Sequence, residues 1–387
     1  MLFVVSKITF VLLFIFTSLS ANQILSNTQE TLLDLSNEKI IQDTSKLKKD
    51  VLNPIRYSYI YAKDEKFGIS KKSIISIDQP IFRSGGIYYA IKYASNLKNS
   101  STLSLNIQRK NLIVQVLTNV YNIKKLDIQI EKQKLLLANS KIDLKIKKES
   151  VFNGLLSMSF LNNALITVNK TKLSLINLEF SKNSLINNLK NLSDLKYTQI
   201  KLPKLDILNH KDFIKNNLDL KNSQLSLKSK DYLKGITNAK YLPSINVNYK
   251  KTIAHSNALD NYNYGFSINV PINFTTINAM QSAKIDYLKQ KEQNKLSKIS
   301  QNIFFDTKIL SIKNINDKIY LTKENIKSYE NLLNQTQELS DAGLKTVDDI
   351  KILKNSLKNE KLNINLYKID EQIELLEIYK RVKNDKI

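Results

Sequence analysis

The sequence predicts a mainly α-helical chain with four β-strands in two hairpins, arranged as two copies of one unit. Three observations carry this prediction. Glycine and proline number only 7 and 5 among 387 residues, so turns are few and most of the chain must run in long helices. Two segments abandon helical spacing for strict apolar and polar alternation. Two unrelated kinds of breaker recur at nearly one offset along the chain.

The chain opens with Lys7, the apolar run Ile8 to Phe16 and the small residues Thr17-Ser18-Leu19-Ser20-Ala21. The run is too short to span a bilayer as a helix, and this succession predicts a secretory signal peptide over 1–21. No later segment is a long uncharged apolar run. The exported chain is therefore expected in the periplasm, outside the cell, or in an outer membrane as strands.

The first repeat is expected over 22–193. Its hairpin, about 55–81, alternates Tyr57, Tyr59 and Tyr61 with Arg56, Ser58 and Ile60, and returns over Ser73 to Ile81 with Ile75 and Ile77 on one face. Pro80 is expected to end that ladder because it has no N–H to donate. Residues 84 to 149 lack proline, and a single helix there extends roughly 100 Å at about 1.5 Å per residue.

From Tyr121 onward that helix carries two apolar heptad stripes, Tyr121, Ile128, Leu135, Ile142 and Ile123, Ile130, Leu137, Leu144. Stripes two residues apart lie about 200° apart around the axis, on opposite flanks. A dimeric coiled coil would place its stripes three and four apart as one seam. A helix apolar on both flanks and polar in front and behind suits a curved wall with water on each side. The helix then turns at a tip, about 152–161, where Asn153-Gly154 and Ser157 supply a helix stop and start.

A linker is expected over 194–209, where Pro203 breaks the helical pattern, and a second repeat over 210–387. The second hairpin, about 244–272, holds the clearest alternation. Tyr262, Tyr264, Phe266, Ile268 and Val270 interleave with Asn261, Asn263, Gly265, Ser267 and Asn269. One aromatic and aliphatic face and one small polar face are what a strand between lipid and a lumen requires. Upstream, Ile245, Val247 and Tyr249 alternate with Asn246, Asn248 and Lys250. The second tip, about 340–350, has Gly343 suited to the left-handed residue after a helix, and Thr346 with Asp349 as a capping box. Phe160 stands where the first tip would need the corresponding acid.

Pro80 and Pro271 lie 191 positions apart, and Gly154-Leu155-Leu156-Ser157 and Gly343-Leu344-Lys345-Thr346 lie 189 apart. One offset relating two kinds of landmark implies an internal duplication.

The formal charge of +24 raises the question of nucleic acid. The excess is almost all lysine spread along helices as solvated faces, with Arg only at 56, 83, 109 and 381, so no nucleic-acid partner is expected. Cysteine is absent, which removes disulfides, thiol chemistry and a lipid-modified N-terminal cysteine. His210 and His255 lack metal-ligand spacing. With no phosphate loop, nucleophile elbow or paired carboxylates, no cofactor, no metal and no enzymatic activity are expected. Asp341, Asp348 and Asp349 form an acidic cluster. Gathered by symmetry they suit a cation-attracting ring at an entrance, whereas Asp349 also reads as a helix cap.

Four strands cannot close a barrel, and unpaired edges cannot face lipid. Several copies must pool their strands. Two give a plugged barrel, and three give twelve strands with an open interior.

Three stretches carry a resemblance to a known family: Ile77-Asp78-Gln79-Pro80-Ile81-Phe82 followed by Gly85-Gly86, Ala239-Lys240-Tyr241-Leu242-Pro243-Ser244-Ile245 before a strand, and Ala342-Gly343-Leu344-Lys345-Thr346-Val347-Asp348-Asp349-Ile350 between two helices. In order, spacing and duplication the chain resembles the TolC-like outer-membrane efflux family over roughly residues 25 to 385. The resemblance implies a homotrimer with a twelve-stranded transmembrane β-barrel above a coiled-coil α-barrel in the periplasm. It implies a passive exit duct for efflux or type I secretion. Its tips, with Gly154, Leu155, Ser157, Gly343, Leu344 and Thr346, would dock a periplasmic adaptor, or membrane fusion protein, that links the duct to an inner-membrane transporter. The rival expectation is a soluble periplasmic coiled-coil adaptor or structural protein.

Overall fold

The computed structural model describes residues 24–66, 68–255 and 259–383. The signal peptide expected over 1–21 lies outside them. The elements run α1 (Asn27–Lys49), β1 (Arg56–Asp64), β2 (Gly68–Phe82), α2 (Gly86–Phe152) and α3 (Met158–Leu189). After a coil segment come a short α4 (His210–Lys215), α5 (Leu218–Lys240), β3 (Ser244–Ala254), β4 (Asn261–Asn269), α6 (Thr276–Asp341) and α7 (Val347–Lys380). The order helix, hairpin, long helix, shorter helix occurs twice with matching lengths. α1 and α5 have 23 residues each, and α2 and α6 have 67 and 66.

The helices lie side by side rather than around a central core. α2 packs against α1 and α5 in its first half and against α3 and α7 in its second, while α6 packs against α5 and then α7. Specific bonds fix these neighbours. Asn96 Nδ2 donates to the Leu225 carbonyl and to Ser229 Oγ of α5, both at 2.8 Å. Lower down, Asn139 Nδ2 donates to the Ile352 carbonyl of α7 at 3.3 Å, and Gln133 Nε2 to the Thr171 carbonyl of α3 at 3.1 Å.

The two-stripe reading of α2 fits this arrangement. Ile130 and Leu144 line clefts against α3. On the other flank Lys125, Lys132 and Asn139, heptad-spaced and one turn from Ile128 and Ile142, reach α7. Burial lowers the Lys132 pKa below its ordinary value despite nearby Glu360. A helix held on two opposite flanks keeps water on the remaining two faces, which is why its other positions are polar.

Shorter helices are stacked end to end to match the long ones. The Ser26 N–H donates to the Leu192 carbonyl at 2.9 Å, joining the start of α1 to the end of α3. Likewise the Leu218 N–H donates to the Arg381 carbonyl at 2.8 Å and the Lys383 N–H to the Asn216 carbonyl at 2.9 Å, joining α5 to α7. The main buried cluster lies at this height. Val116, Leu117, Val120 and Ile123 of α2 meet Phe213 of α4, Phe305 and Ile312 of α6, and Leu375, Leu376 and Ile378 of α7, with Ile200 and Leu205 of the coil segment folded in. Tyr121 donates its hydroxyl to the Pro203 carbonyl at 2.8 Å, and burial pushes its pKa up to about 12.

The four strands form one antiparallel sheet in the order β1-β2-β3-β4. β2 is longer than the expected Ser73 to Ile81, because it pairs with β1 back to Gly68. Pro80 does not end the ladder: it pairs with Asn246, and β2 continues through a bulge to Phe82 opposite Ile245. The missing N–H is tolerated because β1 begins at Arg56, opposite Ser76, so β2 has no ladder partner on that side at Pro80. Within the second hairpin, expected over about 244–272, residues 256–258 lie outside the described residues.

Candidate functional site

Residues opposite one another in a ladder share a face of the sheet. β4 sets Tyr262, Tyr264, Phe266 and Ile268 opposite Lys251, Tyr249, Val247 and Ile245 of β3. In turn β3 sets Lys251 and Tyr249 opposite Ile75 and Ile77 of β2, and Ile75 faces Tyr57 of β1. The alternations of four strands, read separately in the sequence, therefore fall in phase on one face. The opposite face gathers Arg56, Ser58, Ser76, Asp78, Asn246, Asn248, Lys250, Asn263, Gly265 and Ser267.

Among the described residues nothing covers the apolar face: Tyr264 is 79% and Phe266 72% exposed. At about 25 cal/mol per Å² of apolar surface, a soluble sheet would cover such a face with a helix or a second sheet. Val270, expected as the last residue of the alternation, lies one position beyond the end of β4. Both β1 and β4 are edges with unpaired backbone groups facing outward.

The helical layer has unpartnered edges too. On α3, Ile166, Leu173 and Phe180 are heptad-spaced and exposed, and on α6 Leu296, Ile303 and Leu310 repeat the pattern. These six were not singled out in the sequence, although their seven-residue spacing is the signal that finds them.

At the far end of the helices lie two tips. In the second, Gly343 has φ 75°, and the Leu344 N–H reaches back to the Leu339 carbonyl at 2.8 Å, closing α6. Thr346 caps α7: its Oγ1 accepts from the Asp349 N–H at 3.2 Å, while Asp349 Oδ2 accepts from the Thr346 N–H at 3.0 Å. The backbone hydrogen bond from Thr346, then its hydroxyl, hold the Asp349 pKa below the ordinary value. In the first tip Gly154 has φ 73° and the Leu155 N–H reaches the Ser150 carbonyl at 2.9 Å. Ser157 forms no side-chain cap there, its hydroxyl instead meeting Ser159 at 2.6 Å. The two tips thus share a stop, whereas Ser157, expected to supply the start, stands at the N-cap of α3 without a side-chain bond, Phe160 offering no acid to complete a capping box.

The acidic cluster divides into three environments. Asp349 is bound in its cap, Asp348 Oδ2 pairs with Lys145 Nζ of α2 at 3.1 Å, and Asp341 accepts from Gln337 Nε2 at 3.1 Å. The Asp348 hydrogen bond raises the Lys145 pKa. Phe152, Leu155, Met158, Leu344 and Val347 are all exposed at the tips.

Residues 210–381 match the model of a family described as outer membrane efflux protein. That segment is similar to outer membrane efflux proteins. Over more than nine-tenths of its length the chain shares its fold with solved outer-membrane channels. The outer membrane protein VceC from Vibrio cholerae aligns with a TM-score of 0.73 at 13% identity, covering 92% of this chain and 94% of that one. The Campylobacter jejuni CmeC outer membrane channel aligns with 0.73 at 15% identity, covering 93% and 85%. CusC, described with transmembrane channel formation, aligns with 0.70 at 14% identity, covering 93% and 90%. At such identities the likeness shows the fold, and no curated protein matches the chain by sequence.

The family match agrees with the TolC-like motifs at Ala239 to Ile245 and Ala342 to Ile350, both of which lie inside it. Among the described residues no helix is long and apolar enough to cross a membrane, and no group of His, Cys, Asp and Glu is placed to hold a metal. His210 Nε2 bonds Asn302 Oδ1 at 3.1 Å and packs against Phe305. His255 Nε2 bonds Ser73 Oγ at 2.8 Å near the hairpin tips. Each histidine thus serves local structure.

Proposed function

We propose that this protein is the outer-membrane exit duct of a tripartite efflux or type I secretion system, assembled as a homotrimer. The observation that carries the reading is the sheet itself, apolar across all four strands on one face, polar on the other, with both edges open. Pairing β1 of one copy with β4 of the next removes both edges. Three copies give about twelve strands around an open lumen, two give a filled one. A strand of nine residues, tilted about 40°, rises roughly 25 Å, the height of a membrane's apolar band.

The same closure suits the helices. The heptad rows on α3 and α6 border opposite edges of the layer, so the α6 row of one copy can pack beside the α3 row of its neighbour to form a hollow α-barrel in the periplasm. Duplication is supported by the junctions: Ser26 meets Leu192 and Asn217 pairs with Val382, equivalent positions 191 and 190 apart in the numbering. Repeats over 22–193 and 210–387 with a linker over 194–209 follow, after a signal peptide over 1–21.

In this reading Tyr262, Tyr264, Phe266, Ile268 and Val270 face lipid. The tips, with Gly154, Leu155, Ser157, Gly343, Leu344 and Thr346, meet a periplasmic adaptor that joins the duct to an inner-membrane transporter. Asp341, Asp348 and Asp349 ring the entrance. Cell fractionation, mass measurement in detergent and planar-bilayer recording test the reading. It expects outer-membrane location, three copies and a stable conductance; a water-soluble monomer without detergent would overturn it.

A further inference from the structure

The outward face of the sheet is not uniformly apolar, and its lysines lie at or tipward of the level of Ile75. Nearest the helices lie Ile245, Val247, Phe266 and Ile268, with Tyr249 and Tyr264 above them, and Lys251 stands level with Ile75, Tyr57 and Tyr262. Nearest the hairpin tips the same face carries Lys63 and Lys71. Lys63 lies opposite Ile69, Lys71 opposite Tyr61, and Lys251 between Ile75 and Tyr262. No acidic residue occupies an outward position in any of the four strands, all of whose acids within the ladders, Asp64 and Asp78, fall on the opposite face.

None of the three lysines forms an ion pair among the described residues. Lys71 lies over the Tyr61 ring, its Nζ 5.8 Å from the centroid, and its carbonyl accepts the His255 N–H at 2.8 Å. Nearby, Tyr57 Oη and Ser73 Oγ lie 3.1 Å apart and Ser73 bonds His255, so these hydroxyl groups are already engaged, whereas the ammonium groups meet no carboxylate among the described residues. A lysine on a lipid-facing surface extends its stem along the apolar band and places its charge at headgroup height. There the group of opposite charge is a phosphate.

We propose that Lys63, Lys71 and Lys251 form a binding band for the phosphate-bearing headgroups of the lipid leaflet at the hairpin-tip end of the sheet. This rests on the duct reading, because it requires the tyrosine-rich face to be the lipid face. Lys71 and Lys251 stand four residues apart in register, about 14 Å along the strands. The Lys251 stem reaches tipward while Lys71 stays over the Tyr61 ring, which narrows that gap, so neighbouring headgroups, or one carrying two phosphates, can be engaged together.

The test uses the purified full-length protein in neutral detergent, with lipid retention counted by native mass spectrometry. The probes are phosphatidylglycerol, phosphatidylcholine and inorganic phosphate. Wild type is expected to retain phosphatidylglycerol over phosphatidylcholine by on the order of tenfold, about 1.4 kcal/mol. Lys63→Gln, Lys71→Gln and Lys251→Gln together should erase the preference. The polar-face control, Arg56→Gln with Lys250→Gln, should keep it, and excess inorganic phosphate should not displace the lipid.

An unchanged preference in the triple variant overturns the headgroup band and leaves the duct reading intact, as does displacement by inorganic phosphate. Loss in the polar-face control with retention in the triple variant would mean the faces are reversed, which sinks the duct reading as well.

Discussion

Arg381 lays its guanidinium on the ring of Phe304, 3.6 Å from the centroid, and bonds Gln301 Oε1 at 3.1 Å. Phe304 and Gln301 belong to α6, and the Arg381 carbonyl takes the Leu218 N–H of α5. One residue at the end of α7 therefore ties the stacked pair to its long neighbour. A desolvated stacked cation contributes about 2 kcal/mol, and hydrogen bonds to charged groups about as much. Arg381→Ala should lower stability by about 2–3 kcal/mol in a denaturant titration. Arg381→Lys should recover less than half, since an ammonium neither stacks flat nor forks.

The cap on α7 gives a prediction with a pH sign. Asp349 has a folded pKa below its ordinary value of 3.8, so its contribution is present above that value and lost as pH falls through the lower folded value. Backbone amides of Val347 to Ile350 should therefore exchange faster below about pH 3.8, while those at Met158 to Leu161, where no side-chain cap exists, should show no such step. Thr346→Ala should cost about 1 kcal/mol locally and abolish the pH step. A step that persists in that variant would assign it to another carboxylate.

How much of this was legible in the sequence depended on whether a feature is local. The β4 alternation, Gly343 and the Thr346–Asp349 box are set by neighbours in the chain, and each reads directly. The flanks of α2 were legible because heptad spacing records two partners without naming them. Pairing of β2 with β3 across more than 160 residues is not encoded in either strand, so the meeting of lysines, tyrosines and aliphatics on one face emerged only from the register. Pro80 misled for the same reason: whether a missing N–H matters depends on which side of β2 lacks a neighbour. Asp348 was read with its acidic neighbours, whereas its partner, Lys145, lies on another helix.

That ion pair is exposed and should contribute little. Asp341→Asn with Asp348→Asn should therefore leave the thermal unfolding midpoint unchanged. If the tips form the entrance, the same double variant should lower cation preference and weaken block by multivalent cations in planar bilayers. Unchanged block with unchanged stability would place the entrance charge elsewhere.

The sharpest contrast the sheet allows lies between adjacent residues of β4. Phe266 is on the apolar face beside Val247, and Ser267 is on the polar face beside Asn246. Neither position changes the backbone ladder when substituted, so any difference reports the surroundings of the two faces. An arginine facing lipid near the bilayer centre costs about 2–4 kcal/mol per copy, and one facing water in a lumen costs little. Phe266→Arg should thus reduce heat-resistant assembled protein in outer-membrane fractions severely, because every copy in the barrel carries the penalty. Ser267→Arg should assemble normally and instead change conductance. Two variants that behave alike in both measurements would show that water, not lipid, bathes both faces of the sheet.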